Sequence, residues 1–314
     1  MKLPEKEAVF ETMRRVKPYV HNTPVLTSTL LNEISGAQLY FKCENFQRMG
    51  AFKMRGAVNA ILQLPEEEQK KGVVTHSSGN FAQAVSLAAR SLGIKAFIVM
   101  PESSPKVKQA AVKQYGGQII LCESTLQARE ATAQQIVEKE GATFLHPSND
   151  IPVILGQGTS AFELLEAHSD LNYILTPVGG GGLIAGTALA AHYLNTNCKV
   201  IGGEPFEVDD AYRSLISGKI ETNQTTNTIA DGLKTQLGTN NFPVIQQLVE
   251  EIIRVEEEEI VNAMKLIYER LKIIIEPSCA VPFAALLRQK SKFKDKKVGI
   301  ILSGGNVDLN NLPF

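Results

Sequence analysis

Lys53 is the residue whose type and surroundings most directly suggest chemistry. A lysine amine forms Schiff bases with carbonyl cofactors, although most lysines are solvated surface charges. Three loops elsewhere in the chain make this lysine a candidate, because each carries small or polar residues that could hold a ligand. They read Ser77-Ser78-Gly79-Asn80, Gly179-Gly180-Gly181-Gly182 and Ser303-Gly304-Gly305-Asn306.

The glycine run Gly179–Gly182 follows an apolar stretch at residues 173–178 and precedes a helical pattern over residues 183–194. Glycines let backbone N–H groups approach a ligand, and the start of the following helix favours an anion. This context predicts a phosphate-binding loop. The alternative is a tight turn between strand and helix that binds nothing. The run is neither a Gly-x-Gly-x-x-Gly fingerprint nor a Walker loop.

The loop from Ser77 to Asn80 also lies between a predicted strand and a predicted helix. Its hydroxyl and N–H groups could hold a carboxylate, but serine and asparagine cap helices equally well, so both interpretations stay open. The loop at Ser303 follows a predicted strand over residues 298–302. Open α/β sheets bind ligands at such strand ends, although an ordinary turn would have the same sequence.

Three acidic residues, Glu204, Asp209 and Asp210, lie just beyond another predicted strand. Hard cations bind clustered carboxylate and carbonyl oxygens. From the residues alone, the favoured interpretation is that acids stabilise the N-terminus of a helix.

The composition is that of an ordinary globular protein. Of 314 residues, 44% are hydrophobic and 21% charged, and 32 Lys and Arg against 33 Asp and Glu give a net charge of -1. This balance predicts neither a nucleic-acid nor a membrane partner. No apolar run is long enough to span a bilayer, and the first residues lack the apolar core of a signal peptide. Four scattered cysteines predict buried free thiols in a reducing cytoplasm.

Apolar stretches that predict strands alternate with helical patterns along nearly the whole chain. Near-continuous apolar strands separated by helices predict parallel sheets covered on both faces, and therefore an α/β fold. The strand–helix series at residues 72–147 is predicted to form a small domain. It would be inserted into a larger domain made of residues 1–71 and 148–314. A loop is expected before a helix that starts at Thr159.

The chain resembles the fold-type-II pyridoxal-phosphate enzymes, in the branch that contains serine racemase and serine/threonine dehydratase. The resemblance runs over nearly the full length and rests on several ordered motifs. Beyond the three loops above, they are His21-Asn22-Thr23-Pro24-Val25-Leu26, Gly156-Gln157-Gly158-Thr159, Ile229-Ala230-Asp231-Gly232 and Ile275-Glu276-Pro277-Ser278. It implies two open, twisted parallel-sheet domains, as in the tryptophan synthase β-subunit, with the smaller domain inserted in the larger.

The resemblance also implies roles for individual residues around pyridoxal 5'-phosphate. Lys53 would hold the cofactor aldehyde as a Schiff base and remove the substrate α-proton on one face. Ser78 would act as acid or base on the other face. Ser77, Ser78 and Asn80 would hold the substrate carboxylate, with Asn80 near the cofactor 3'-oxygen. Gly179–Gly182 would hold the phosphate.

Further roles concern the ring and a metal ion. Ser303 would hydrogen-bond the pyridine nitrogen, and Glu276 matches an acid near the ring. Glu204, Asp210 and the carbonyl of Val208 match the family's divalent-metal position, which would take Mg²⁺, or Mn²⁺ or Ca²⁺. The resemblance also implies a homodimer.

The sequence departs from the family pattern at several positions. Ala51 and Phe81 replace a common serine and histidine. Arg48-Met49 replaces a pair that contributes to nucleotide activation in animal serine racemases, which argues against regulation by ATP. The loop at residues 146–150 differs from the usual dehydratase loop, and this leaves the substrate side-chain preference open.

The activity implied first is interconversion of L- and D-serine with elimination of water to give pyruvate and ammonia. The alternative is a dehydratase for L-threonine, L-serine or 3-hydroxyaspartate without significant racemisation. A β-replacement synthase would have other sequences around the lysine. A binding protein without catalysis would not require an intact lysine and phosphate loop.

Overall fold

The computed structural model describes residues 2–314 and contains two β-sheets, one of six strands and one of four. Their order is β1-β2-β10-β7-β8-β9 and β5-β4-β3-β6. The strands are β1 Val25–Leu26, β2 Gln38–Cys43, β3 Val73–His76, β4 Ala96–Pro101, β5 Gln118–Cys122, β6 Thr143–Phe144, β7 Tyr173–Pro177, β8 Lys199–Pro205, β9 Val249–Val255 and β10 Lys297–Leu302.

Helices connect and cover these strands. They are α1 Lys6–Val16, α2 Thr29–Ser35, α3 Lys53–Leu62, α4 Glu66–Lys71, α5 Asn80–Ser91, α6 Lys106–Gln114, α7 Leu126–Glu140, α8 Ile151–Ala167, α9 Gly182–Leu194, α10 Asp210–Ser217, α11 Phe242–Leu248, α12 Glu257–Leu271, α13 Pro277–Arg288 and α14 Lys290–Phe293. Short 3₁₀ turns lie at Lys17–Tyr19, Glu44–Phe46, Arg48–Gly50, Phe206–Val208 and Asp231–Leu233.

The six-stranded sheet is buried on both faces. Its strands pair in parallel except for the antiparallel pair β1 and β2. Side chains alternate between the faces of a strand, so the neighbours Ile174 and Leu175 belong to different hydrophobic cores. A parallel sheet covered on both faces requires the continuous apolar strands seen in the sequence.

The four strands of the smaller sheet are all parallel and lie between residues 73 and 144. The predicted α/β fold with two parallel sheets is therefore confirmed. The division into domains at residues 72 and 147 stays a prediction. Met54 and Ile61 of α3, which precede residue 72, share a hydrophobic core with Val73 of the smaller sheet.

Helix α8 begins eight residues earlier than predicted, at Ile151 rather than Thr159. The sequence suggested a loop because Gly156 and Gly158 interrupt the helical pattern. In the structure these glycines let helices approach closely. A Cβ on Gly156 would lie 2.5 Å from the carbonyl oxygen of Arg55, and one on Gly158 would lie 2.4 Å from that of Gly186.

A buried ion network fixes α3 to the six-stranded sheet and to α8. The Arg55 guanidinium lies 2.7 Å from a Glu44 oxygen and 2.8 Å from a Glu163 oxygen, and Lys42 lies 2.6 Å from Glu163. Burial disfavours the Glu44 carboxylate, but Arg55 outweighs that cost and holds the pKa of Glu44 below its usual value. Two cations and two anions thus compensate each other inside the protein.

The four cysteines are buried and form no disulfide, as predicted. Among residues 2–314, no helix combines the length and apolar character needed to cross a membrane.

We predict that replacing Arg55 with methionine lowers the free energy of unfolding by about 3–5 kcal/mol, because it leaves buried carboxylates without their cation. Denaturant unfolding of the purified protein would measure the loss. The control is Arg14→Met, which breaks an exposed pair with Glu7 and should change stability by no more than about 0.5 kcal/mol. Equal effects of the two substitutions would contradict the prediction.

Candidate active site

Lys53 is the first residue of α3 and lies beside the end of strand β10. The backbone N–H of Phe52 donates to the carbonyl of Ser303 at 3.0 Å, and Ala51 pairs with Gly304 in an isolated antiparallel bridge. The structure therefore brings together two predicted site segments that are 250 residues apart in sequence.

The Lys53 side chain is half-buried. Its Nζ donates to the carbonyl of Pro147 at 2.7 Å and lies 4.9 Å and 5.7 Å from the ring centroids of Phe52 and Phe81. Burial lowers the pKa of Lys53 to about 7, although the charge of Glu276 opposes the shift. A large fraction of the amine is thus neutral near pH 7, which a lysine needs in order to attack a carbonyl or to accept a proton.

The carbonyl that holds Lys53 is itself fixed. Gln157 donates to the same Pro147 oxygen at 3.1 Å. The His146 Nδ1 atom accepts the backbone N–H groups of Ser148 and Asn149 at 3.2 and 2.9 Å. Burial, with the nearby charges of His76 and Lys53, lowers the pKa of His146 to about 4. His146 is therefore neutral at pH 7, as an accepting Nδ1 requires.

The glycine run opens α9, as the sequence predicted. Gly181 has a φ of 79°, a left-handed conformation that favours glycine. A Cβ on Gly182 would lie 2.4 Å from Gln157 Oε1 and 3.0 Å from the Ser148 backbone, so a larger residue would displace the Gln157 side chain. Backbone N–H groups at the start of a 13-residue helix form a suitable cradle for a phosphate.

A polar cluster lies between the two sheets. The Asn80 amide donates to both oxygens of Glu276, at 2.9 and 3.1 Å, and its oxygen accepts from Asn306 at 2.8 Å. Burial raises the pKa of Glu276 to about 7, although the hydrogen bond from Asn80 lowers it. Asn80, Glu276 and the loop after β10 therefore meet, as expected for one site.

Ser77 and Ser78 lie in the loop between β3 and α5. The Ser77 hydroxyl accepts the N–H of Gly79 at 3.3 Å, and no atom lies within 4 Å of a Cβ placed on Gly79. Within residues 2–314, the Ser78 side chain makes no hydrogen bond. Its hydroxyl is available to a ligand, and its catalytic role stays a prediction.

Ser303 follows β10 and is 2% exposed. Its hydroxyl has no hydrogen-bond partner in the part of the chain that is described. Together with the lowered pKa of Lys53 and the glycine cradle at α9, this free hydroxyl gives the site three groups that suit an aldehyde, a phosphate and a ring nitrogen. The residues present therefore fit pyridoxal phosphate.

The predicted metal residues lie between the end of β8 and the start of α10. Glu204 accepts the N–H groups of Ala211 and Tyr212 at 3.1 and 2.8 Å. Burial, and then the charge of Asp210, raises the pKa of Glu204 well above its usual value. Burial likewise raises the pKa of Asp210 to about 6. Two buried carboxylates with raised pKa values, one of them raised in part by the charge of the other, suit a divalent cation.

The predicted metal site has only two carboxylates and one backbone carbonyl as ligands. Asp209 is paired with Arg213 at 2.7 Å and with Arg254 at 2.9 Å, so it lies outside the predicted set. Across residues 2–314, no group of three or more His, Cys, Asp or Glu side chains could hold a metal ion. The third predicted ligand is the backbone carbonyl of buried Val208.

Three residues that shape the active site were not among the site residues predicted from sequence. The carbonyl of Pro147 has no signal in residue type. Gln157 stood in a recognised motif but had no role assigned. Asn241 donates to the carbonyls of Ser148 and Gly180, and its residue type alone gives no sign of that role.

Comparison with known proteins agrees with this geometry. The family model for "Pyridoxal-phosphate dependent enzyme" matches residues 16–304. The chain is 51% identical over 306 residues to the serine racemase of Dictyostelium discoideum, covering 96% of this chain and 94% of that protein. It is 46% identical over 314 residues to the β-hydroxyaspartate dehydratase of Paracoccus denitrificans, covering all of both.

The structure of maize serine racemase superposes with a TM-score of 0.96 at 46% identity, covering 98% of this chain and 95% of that one. The two parallel sheets and the site define a pyridoxal-phosphate enzyme of fold type II. The chain belongs to the pyridoxal-phosphate dependent enzyme family, within the group of racemases and ammonia-lyases, and pyridoxal phosphate is its cofactor.

We predict that the Lys53 amine of the cofactor-free protein titrates near pH 7. Its rate of modification by an amine reagent, followed by mass spectrometry of the Lys53 peptide, should be half-maximal near that pH. The modification rate of exposed lysines should instead be half-maximal at a pH of about 10.4. In Glu276→Gln the midpoint should fall further, because the carboxylate that raises the Lys53 pKa is gone. A wild-type midpoint equal to that of exposed lysines would refute the prediction.

Proposed function

We propose that this protein is a serine racemase that interconverts L- and D-serine and also eliminates water from serine to give pyruvate and ammonia. The observation that carries the proposal is the 51% identity with the Dictyostelium serine racemase over nearly the whole of both chains. The lysine of lowered pKa beside a glycine cradle supports it, because racemisation begins with removal of a proton from the α-carbon.

A dehydratase acting on 3-hydroxyaspartate, threonine or serine is the second candidate. The 46% identity with a β-hydroxyaspartate dehydratase, over the full length of both chains, favours it. Both reactions begin with loss of the α-proton. They separate afterwards, according to whether a proton returns to the carbon from the opposite face or the β-hydroxyl leaves.

In the proposed mechanism the cofactor, when bound, supplies an electron sink for the charge left by the departing α-proton. Lys53 in its neutral form accepts that proton, and the Pro147 carbonyl fixes where its amine lies. Ser78 returns a proton from the opposite face. Its hydroxyl has no competing hydrogen bond in the described chain, so it is free to orient toward a substrate.

Other residues hold and orient the reactants. Gly179–Gly182 bind the phosphate through N–H groups, and Ser77, Ser78 and Asn80 bind the substrate carboxylate. Ser303 offers a hydroxyl to the pyridine nitrogen. A hydroxyl, unlike a carboxylate, does not hold a proton there, which limits how far charge spreads into the ring.

Glu276 contributes from beside Asn80. Because burial raises the pKa of Glu276 to about 7, its carboxyl exchanges a proton within the pH range where Lys53 does. The Glu276 charge in turn opposes the fall in the Lys53 pKa, so the ionisation of the two groups is linked.

We also propose a homodimer in the cytoplasm and a domain division at residues 72 and 147. The resemblance to the family supports the dimer. The confinement of the smaller sheet to residues 73–144 supports the domain division.

We predict that the cofactor-loaded protein, incubated with L-serine and Mg²⁺, forms D-serine and pyruvate at comparable rates. Chiral chromatography and a coupled pyruvate assay measure the two products. Ser78→Ala should lower D-serine formation at least about 100-fold, the usual contribution of a positioned acid or base, while some elimination from one enantiomer remains. The control is Ser169→Ala, at an exposed turn residue.

Two outcomes would count against this function. Undiminished D-serine formation in Ser78→Ala would exclude the second base. Pyruvate without D-serine from the wild-type protein would establish the dehydratase, and L-threonine and 3-hydroxyaspartate would then be compared as substrates.

We propose that Glu204, Asp210 and the Val208 carbonyl bind Mg²⁺, with Mn²⁺ or Ca²⁺ as substitutes. Chelation should lower the melting temperature of the wild-type protein, and Mg²⁺ at about 100 times its Kd should restore it by a few degrees. Asp210→Asn should lose this response. Its stability without metal combines two opposing changes, because the repulsion with Glu204 is relieved while only one of the two donors to Asp210, the Asn223 amide and the Leu237 N–H, keeps an acceptor. A full response to Mg²⁺ in Asp210→Asn would show that the ion binds elsewhere.

A further inference from the structure

Three loops of the active site meet at the side chain of Asn241, which is fully buried. Its amide nitrogen donates to the carbonyl of Ser148 at 2.9 Å and to the carbonyl of Gly180 at 2.8 Å. Its amide oxygen accepts the N–H of Gly238 at 3.0 Å. Both amide hydrogens are therefore used on two loops that lie more than 30 residues apart in sequence.

On one side, Asn241 sets the direction of the glycine cradle. The carbonyl and the N–H of a trans peptide point in opposite directions. Because Asn241 holds the carbonyl of Gly180, the N–H of Gly181 in the same peptide points the other way, away from Asn241. A Cβ on Gly181 would lie 2.8 Å from the Asn241 amide oxygen, so glycine at 181 and asparagine at 241 fit each other closely.

On the other side, Asn241 holds the segment that orients the lysine. Ser148, whose carbonyl it binds, directly follows Pro147, whose carbonyl accepts the Lys53 amine. The position of that carbonyl and the direction of the cradle are thus linked through one amide group.

Next to Asn241, Asn240 and Asn149 form a pair of hydrogen bonds between the same two loops. The N–H of Asn240 donates to the side-chain oxygen of Asn149 at 2.8 Å, and the Asn240 amide donates to the Asn149 carbonyl at 2.7 Å. Both hydrogen bonds run from Asn240 to Asn149, so they join the residues next to Asn241 and Ser148 and support the contact between those two.

We propose that Asn241 is a positioning residue that couples the phosphate cradle to the carbonyl holding Lys53. The proposal rests on the assignment of Gly179–Gly182 as the phosphate cradle. Asn241 touches neither reacting group. It makes the binding of phosphate at one end and the environment of the amine at the other depend on each other.

The test compares Asn241→Leu, which keeps the approximate volume and removes both donors, with Asn195→Leu. Asn195 is the matched control because its amide also bridges two carbonyls, those of Ser169 and Leu171, at the opposite end of the same helix α9. A third variant, Asn241→Thr, keeps one hydroxyl donor at a position just before a helix where threonine is well tolerated.

Three quantities are measured for each protein. They are the Kd of inorganic phosphate for the cofactor-free protein, the Kd of pyridoxal phosphate, and the pH midpoint of Lys53 modification. In Asn241→Leu, both Kd values should rise at least about tenfold, as expected for lost hydrogen bonds that orient the cradle. The Lys53 midpoint should rise, because a loosened carbonyl admits water around the amine. The Kd values and the Lys53 midpoint of Asn241→Thr should lie between those of Asn241→Leu and those of the wild type.

A purely structural role would lower the melting temperature of Asn241→Leu and Asn195→Leu without changing the binding of phosphate or the Lys53 midpoint, and this result would overturn the proposal. Failure of the wild-type protein to bind phosphate at all would overturn the cradle assignment and the proposal with it. Racemase activity is assayed separately on the cofactor-loaded wild type, so loss of the proposed function is recognised independently. If Asn241→Leu does not fold, Asn241→Thr against Asn195→Leu decides the question.

Discussion

The active site depends on keeping a primary amine inside the protein without a neighbouring anion in direct contact. Lys53 meets a carbonyl and two aromatic rings, while the carboxylate that influences it, Glu276, makes no hydrogen bond to it. In such surroundings the charged form is disfavoured and the neutral amine accumulates. Arg55, two residues further along the same helix, shows the opposite solution, because two carboxylates contact its guanidinium. One helix thus carries a cation that must stay charged and an amine that must be able to lose its charge.

In this arrangement a backbone atom, rather than a side chain, positions the lysine amine. The direct partner of the amine is the Pro147 carbonyl, and a carbonyl can only be oriented by fixing the chain on either side of it. Gln157 fixes the oxygen itself, and His146 fixes the residues that follow. His146 can do so only while neutral, and its burial ensures that at ordinary pH. The chemistry of one lysine therefore depends on several groups that never approach the substrate.

Much of the site could be predicted from sequence because its signals were local. A glycine run between a strand and a helix indicates an anion site wherever it occurs, and Lys53 and Ser303 lie in motifs of a recognisable family. The parallel sheets followed from apolar strands that alternate with helices. The start of α8 could not be predicted, because Gly156 and Gly158 read as helix breakers until α3 and α9 are seen packed against them. Asn241 was equally hidden, since an asparagine in a polar segment is usually a solvated turn residue.

The pairing of β2 with β10 has a consequence for how this site can change. The two strands run in parallel with Leu302 opposite Cys43, and each leads directly into a loop of the site. A slip of one residue would displace Ser303 by about 3.3 Å along the strand and turn alternate side chains to the other face. An insertion between Cys43 and Lys53 would displace buried Glu44 from Arg55 or Ala51 from its bridge with Gly304. An insertion within either strand would break this register, so the length of both strands is constrained by their pairing rather than by the chemistry of any single side chain.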